Sequence, residues 1–386
     1  MIFLPSLLLS RLSRAVALLT GAGAPTGRGS PLMIPCNPEP EVAAVMKYTC
    51  PCKVARPGMR AFSLVSLLLS ALPAQAALTM EQVLRKPYFD AADIEEIQKG
   101  GFGVARIHEV SDREIAVAIA CLVKGTADEA LAPFLGDSLP VDKKLLQDQS
   151  LIDPGSPQTS FEGISLASNE GDEIQHYLDA RAGIGLNLSS EEIAMLQALQ
   201  VTGDAGRVEA SLEHMLHARY ISYRNGGLAG TQPYAREKGE DVSPGEELRK
   251  TEENMKGLHE LYPEFHNAWL TYPRNLPEDL VADDYFWIKL DIDERPAFLL
   301  SHRLVSSNED RILVGIRDYY ASHFFDVAQR VAAVTRLKSG EDILIYVERA
   351  WVDYWSGFAS LSKKIGHKVM KQQMEHLLED HAICGR

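Results

Sequence analysis

The sequence of 386 residues predicts an α+β fold, in which an antiparallel sheet carries a helical insertion and packs on a long C-terminal helix. Three observations predict this fold. Apolar runs separated by short turns follow residue 103 and return over 285–352, as is typical of antiparallel strands. Helical periodicity occupies 168–280 between them. An apolar stripe at helical spacing covers 356–382, which fits a helix that packs on a sheet.

The composition restricts the class of protein. Hydrophobic residues make up 46% and charged residues 24%, values that argue against a wholly disordered chain. The formal charge is −14, from 39 Lys+Arg and 53 Asp+Glu, so we do not expect nucleic acid as a partner. The sequence has no run of about 18 apolar residues, and we therefore predict no transmembrane helix.

A secretory signal begins at Met59. The basic Arg60 is followed by an apolar stretch over 61–72, and Ala74-Gln75-Ala76 offers small residues on both sides of a cleavage site. The stretch is too short to be a stable membrane anchor. We therefore predict a signal peptide over 59–76, cleavage after Ala76, and a periplasmic or secreted protein.

A signal peptide belongs at an N-terminus, and this one is preceded by 58 residues. Residues 1–58 are rich in Pro and Gly and show no sustained periodicity. We interpret them as an over-extended, disordered N-terminus, with translation starting at Met59. The alternative is that Met1 starts a first apolar segment.

Two cysteines, Cys121 and Cys384, remain after the expected cleavage. In an oxidising compartment they could pair. The apolar run around Cys121 favours the alternative, a buried strand cysteine and a free cysteine near the C-terminus.

Capping residues indicate where helices begin in the part of the chain before the insertion. Thr79 and Gln82 have the spacing of a capping box, and Thr126 precedes an apolar, acidic segment as an N-cap residue does. The expected elements are helices over 77–100, strands at 104–110 and 114–124, a short helix at 128–135, and a strand at 158–167.

The insertion and the last third have signals of their own. Ser189 and Glu192 form a second capping box, and the polar stretch 238–254 is expected to be exposed. Short turns in the last third imply hairpins. The expected elements are strands at 285–290, 297–306, 311–320, 325–337 and 341–352, followed by a helix at 356–382.

This order of elements resembles the START-like (Bet v 1-like, SRPBCC) helix-grip superfamily over 101–386, with 168–280 as a helical insertion. The resemblance implies a curved antiparallel sheet gripping the C-terminal helix, and a cavity between them that takes apolar ligands. The chain is also similar to a group of exported bacterial proteins without an assigned activity. The stretches that carry this likeness are Arg181-Ala182-Gly183 through Ser189, Leu300-Ser301-His302-Arg303, Tyr320-Ala321-Ser322-His323-Phe324-Phe325, and Tyr346-Val347-Glu348-Arg349.

Aromatic residues are concentrated in 285–355, where they could line an apolar cavity with a polar end. Alternatively, they form the core between sheet and helix, and the nearby histidines make structural hydrogen bonds. In the ligand interpretation, the aromatic residues line the cavity and the polar ones hold a head group. The candidate ligand-binding residues are Tyr319, Tyr320, Trp351 and Trp355, with His302, His323 and Arg349.

Sequence motifs of common enzymes are absent: there is no GxSxG, GxxxxGK[ST], HExxH or EF-hand pattern. The first hypothesis is therefore an exported binding protein for a lipid or other apolar small molecule, with peripheral membrane contact and without cofactor or metal. A second is a cyclase, hydratase or hydrolase with His323 as base and Tyr320 or Arg349 stabilising negative charge. A third is a cell-envelope protein that binds another protein.

Overall fold

The computed structural model describes most of the chain after the expected leader. The described residues are 78–85, 88–166, 171–183, 185–200, 204–292, 295–352 and 359–385. The expected over-extension and signal peptide, 1–76, and the candidate residue Trp355 lie outside them. No helix of the described ranges is both long and apolar enough to cross a membrane.

An open, curved sheet of eight strands organises the described residues. Every pair of neighbours is antiparallel, in the order β1-β2-β8-β7-β6-β5-β4-β3. This confirms the α+β class and the antiparallel sheet. The strands are β1 Gly103–Arg106, β2 Glu114–Leu122, β3 Leu146–Leu151, β4 Leu280–Ile292, β5 Arg295–Asn308, β6 Arg311–Ala321, β7 Val327–Arg336 and β8 Asp342–Trp351.

Capping boxes begin four of the described helices. Thr79, Asp90, Thr126 and Ser189 each accept a backbone N–H at the third helical position, and the acid or amide side chain there bonds back to the cap. This confirms the capping box predicted at Thr79 and Gln82. The helices are α1 Met80–Arg85, α2 Ala91–Gln98, α3 Ala127–Leu135, α4 Gly171–Leu178, α5 Ser190–Gln197, α6 Ala205–Gly226, α7 Pro244–Glu253, α8 Lys256–Leu261, α9 Pro263–Thr271 and α10 Ala359–Asp380.

The strand expected at 158–167 is wrong. A 3₁₀ helix, Thr159–Phe161, lies there, and the preceding strand is β3. β3 is an edge strand that pairs only with β4, and four of its six residues, 147–150, are polar. Hydrophobic alternation therefore gives no signal for it.

The exposure expected for 238–254 is wrong for one side of α7, while Glu246, Lys250 and Glu253 on its other side are exposed as expected. Glu247, Thr251 and Glu252 of this helix are buried. Buried polar side chains need partners, and the sheet side of α7 provides them. The partners are Arg113 for Glu247, Glu114 for Thr251, and Gln329 for Glu252.

The two faces of the sheet are both covered. We call one the terminal-helix face, because Ile316, Ala328 and Tyr346 share a core with α3 and α10. The other is the insertion face, whose side chains pack on α1, α2 and the helices α4–α9. Since side chains alternate along a strand, each strand contributes to both cores.

A β-bulge in β6 changes this alternation locally. Leu300 pairs with Tyr320 and Ser301 with Asp318, so Tyr319 is the extra residue. As a result Tyr319 and Tyr320, though adjacent, both pack on the insertion face.

A disulfide joins Cys121 to Cys384, with their Cα atoms 5.7 Å apart, a normal separation for such a bond. The expectation that favoured two unpaired cysteines is wrong. After α10 the chain returns to β2, where Lys124 donates its N–H to the carbonyl of Ile383 at 2.8 Å. This backbone contact places the two thiols together, which the sequence separation of 263 residues conceals.

Candidate functional site

Five of the candidate residues that the structure describes lie on the insertion face of the sheet and not on the face that α10 covers. Tyr319, Tyr320 and Trp351 belong to the core of the insertion face, and His302 and Arg349 point to the same side. His323 lies in the loop between β6 and β7. The aromatic cluster therefore packs against the insertion and not against the C-terminal helix.

His302 is fully buried between an acid and a phenol. Its Nε2 lies 2.9 Å from Asp283 Oδ1, and its Nδ1 lies 3.0 Å from the hydroxyl of Tyr223. Burial lowers the pKa of His302, although Asp283 opposes that shift. The hydrogen bond from His302 holds the pKa of Asp283 below its ordinary value despite burial. The neutral imidazole therefore donates from Nε2 to the carboxylate and accepts from Tyr223 at Nδ1.

The imidazole of His302 offers no free atom to a ligand. The ring stacks on Tyr285, with centroids 4.7 Å apart, and both nitrogens are bonded. Tyr223 also accepts a hydrogen bond from Arg317 at 3.2 Å and stacks on Tyr319 at 3.8 Å. The structure brings Tyr319 and His302 together around Tyr223 in a buried network, in which the Tyr319 hydroxyl and Arg317 Nε have no hydrogen-bond partner among the described residues.

Arg349 and Trp351 also have structural partners. Arg349 donates from Nε to Glu114 at 2.7 Å and from Nη2 to the carbonyl of His108 at 2.9 Å. The indole N–H of Trp351 donates to Thr251 at 2.8 Å. These bonds join β8 to β2 and to α7.

Tyr320 lies under a cation. The guanidinium of Arg219 lies 4.3 Å from the centroid of the Tyr320 ring. Arg219 also forms an ion pair with Glu192, a buried residue of α5. Cation–π contacts of this kind stabilise a desolvated ring. Tyr320 is thus part of the packing between insertion and sheet.

His323 differs from His302 because one of its nitrogens is free. Its Nδ1 lies 2.8 Å from the hydroxyl of Ser322, while Nε2 has no partner in the described ranges. Burial, with Arg295 and His176 nearby, lowers the pKa of His323 well below its ordinary value. The next residue, Phe324, has φ = 74°, a conformation that is strained for an aromatic residue.

We expect His302 and His323 to contribute a decrease in the free energy of unfolding as the pH falls below about 6.5, the ordinary pKa of histidine. The unfolded chain then takes up protons that folded His302 and His323 refuse, because both have lowered pKa values. Each histidine contributes a slope of about 1.4 kcal/mol per pH unit until its own folded-state pKa is reached. This contribution is opposite in sign to that of the buried acids with raised pKa values, Glu252, Asp318 and Glu348. Urea unfolding at several pH values measures this slope.

In the variant His323→Asn, the slope of the free energy of unfolding against pH should lack the contribution of one histidine. His376→Asn is the matched control, because that side chain is 68% exposed and should leave the slope unchanged. An unchanged slope in His323→Asn would contradict the assignment of a buried, neutral imidazole.

A polar row that the sequence reasoning missed crosses the terminal-helix face. Ser301 donates to Asp318 at 2.6 Å, and Arg330 donates from Nη2 to the same carboxyl group. Glu348 lies directly opposite Arg330 in the β7–β8 register, and the hydroxyl of Tyr346 donates to it at 3.4 Å. The row thus spans β5 to β8 beneath the helix layer.

Several buried atoms of this row have no hydrogen-bond partner in the described residues, as is also true of Gln373 Nε2 on α10 and of Arg349 Nη1 on the insertion face. Within the described ranges, Arg330 Nε and Nη1 and Glu348 Oε1 have no hydrogen-bond partner, although both side chains are buried. Their neighbours in register, Ile316 and Val117, are apolar. Two ionisable groups therefore meet inside an apolar layer without satisfying each other.

Burial decides the protonation of the row's acids. It raises the pKa of Glu348 to about 8, because desolvation outweighs the attraction of Arg330. It also raises the pKa of Asp318, which Arg330 and Ser301 oppose. At neutral pH Glu348 is mostly protonated and offers an O–H donor. In the sequence, this row is indicated only by an Arg in β7 and a Glu in β8, two strands rich in apolar residues.

Two cavities occur elsewhere in the described chain. An apolar one of about 20 Å³ lies beneath α8, between Tyr88, Leu258 and Val347, and has room for about one water molecule. A polar cleft of about 260 Å³ lies between Thr126, Arg336 and Gly385. No group of three or more metal-ligating side chains is assembled in the described residues.

Comparison with family models and with curated proteins finds no relative for the chain. No family model matches the sequence, and no curated protein matches it. The functional proposal therefore depends on the geometry above.

Proposed function

We propose that this protein is an exported carrier that binds a lipid-like or other apolar small molecule between the sheet and the C-terminal helix. The observation that carries the proposal is the unsatisfied pair Arg330 and Glu348 inside an apolar layer. A molecule with an apolar body and one polar group complements such a layer.

The energetics favour a ligand there. A buried polar group without a partner costs about 1–3 kcal/mol, and more when it is charged. A ligand's polar group would remove that cost at Arg330, and its apolar body would contribute about 25 cal/mol per Å² of buried surface. Because both side chains are buried, binding requires the helix layer to separate from the sheet.

The wider fold supports the same proposal. An open antiparallel sheet with α10 on one face is the arrangement that the START-like helix-grip interpretation expects. The bond between Cys121 and Cys384 suits an oxidising compartment, as does the signal peptide proposed to start at Met59. The ligand residues on this face are Arg330 and Glu348, in place of the candidates on the insertion face.

Native mass spectrometry tests the proposal on protein expressed from Met59 and recovered from the periplasm. We expect a chain that begins after Ala76 and carries a bound mass of roughly several hundred daltons, the size of ligands that fill such sites. The variant Arg330→Met should lose that mass. Arg336→Met is the matched control, since Arg336 lies on the same strand with its side chain 51% exposed.

A chain that is free of ligand and cannot be loaded from a lipid extract would contradict the carrier proposal. Loss of the mass in Arg336→Met as well as Arg330→Met would also count against it, because it would indicate a general effect of removing a cation.

One observation favours a second candidate, an enzyme of cyclase, hydratase or hydrolase type. His323 is buried, has a free Nε2 in the described ranges, and has a lowered pKa, a combination found at catalytic bases. This candidate predicts that a molecule bound to the protein is chemically converted over time. The variant His323→Asn should stop the conversion without releasing the molecule.

A further inference from the structure

We infer that the bound molecule carries a carboxylic acid, whose carboxylate lies between Arg330 and Glu348. This inference rests on the proposed function and names the chemical class of its ligand. It follows from the hydrogen-bonding capacity and the charge of the polar row on the terminal-helix face.

The unsatisfied atoms are mainly donors. Arg330 uses Nη2 for Asp318, which leaves one N–H on Nε and two on Nη1. These atoms have no partner in the described residues. A guanidinium has no acceptor, so the group that satisfies it must supply lone pairs. A carboxylate oxygen is the acceptor that forms the strongest hydrogen bonds with arginine.

Glu348 adds a donor at the same place. It is the cross-strand partner of Arg330, and side chains at such positions lie close together. When Glu348 is protonated, its carboxyl group can donate an O–H, and Oε1 of that group has no partner in the described residues. Two oxygens of one ligand carboxylate can therefore accept from Arg330 and from Glu348. The single oxygen of an alcohol would leave more of these donors unsatisfied.

The charge balance makes this site depend on pH. Arg330 is the one cation of this row, and Asp318 and a bound carboxylate would share it, so an ionised Glu348 would add a further buried negative charge. Burial gives Glu348 a pKa of about 8. The affinity for the carboxylate is thus highest below that pH and decreases above it, because the ionised Glu348 repels the ligand and no longer donates a hydrogen bond. Since one proton is required, the affinity should fall about tenfold per pH unit above 8.

Calorimetric titration of the delipidated, full exported chain tests the inference with two probes, decanoate and 1-decanol, between pH 6 and pH 9.5. At pH 7 we expect decanoate to bind at least about tenfold more tightly than 1-decanol, the effect of one good charged hydrogen bond. The variant Glu348→Gln keeps an N–H donor, so it should still bind decanoate but without the decline at high pH. Arg330→Met should lose the preference for the acid, and Arg336→Met should keep it.

These experiments distinguish failure of the carboxylate inference from failure of the carrier proposal. Equal affinity for decanoate and 1-decanol, or a preference that survives Arg330→Met, would overturn the carboxylate inference and leave the carrier proposal standing. Failure of both probes, together with a ligand-free native mass spectrum, would overturn the carrier proposal itself. Thermal melting of each variant establishes that it is folded, and Glu348→Gln supplies an isosteric test should Arg330→Met not fold.

Discussion

Replacing Arg349 by Met should lower the free energy of unfolding by about 3–5 kcal/mol, the usual cost of removing one partner from a buried ion pair. Arg349 and Glu114 are both fully buried and lie 2.7 Å apart. The substitution leaves the carboxylate of Glu114 without its cation, and it leaves the carbonyl of His108 without a donor. Urea unfolding measures the loss.

The matched control is the double variant Glu114→Gln with Arg349→Met. Removing both charges should recover part of the loss, because no uncompensated carboxylate remains. A loss below about 1 kcal/mol in the single variant, the range of exposed ion pairs, would contradict the buried pair. It would also reopen a ligand-binding role for Arg349, which the sequence had suggested.

Replacing Trp351 by Ala should destabilise the protein by about 3–5 kcal/mol, as is usual for truncating a buried aromatic residue. Its side chain packs in the core of the insertion face and is 5% exposed. The indole N–H also binds Thr251 on α7. Ligand binding should change no more than the lost stability accounts for, and unfolding and titration experiments compare the two.

Trp351→Phe separates packing from hydrogen bonding at this position. It keeps most of the ring and loses the bond to Thr251, so we expect a smaller loss of about 1 kcal/mol. A Trp351→Ala variant that remains fully stable but loses its ligand would contradict the core assignment and restore the aromatic cluster as a binding site.

Much of the fold could be predicted from local signals. Capping residues such as Thr126 and Ser189 begin their helices as expected, and the hairpin strands β4–β8 match apolar runs bounded by turn residues. The failures have physical causes. β3 is an edge strand with mostly polar residues, and α7 is charged although one side is buried, because its acids meet arginines and polar groups across space.

The functional residues were harder to predict, because the face of a side chain depends on register. The bulge at Tyr319 turns two adjacent tyrosines to the insertion face. The sequence reasoning placed His302 and Arg349 at a ligand, yet they bond to Asp283 and Glu114 on the insertion face. Arg330 and Glu348 lie on consecutive strands, and only the register of the β7–β8 pairing places them opposite each other.

The central claim is that the atoms of Arg330 and Glu348 that have no partner in the described residues bind a ligand. A high-resolution crystal structure of the protein as recovered from the periplasm tests it most directly. We predict electron density for a non-protein group within hydrogen-bonding distance of Arg330 Nη1 and of a Glu348 carboxyl oxygen, with apolar density extending between the sheet and α10. A row in which both side chains are satisfied by protein atoms or by water alone would contradict it.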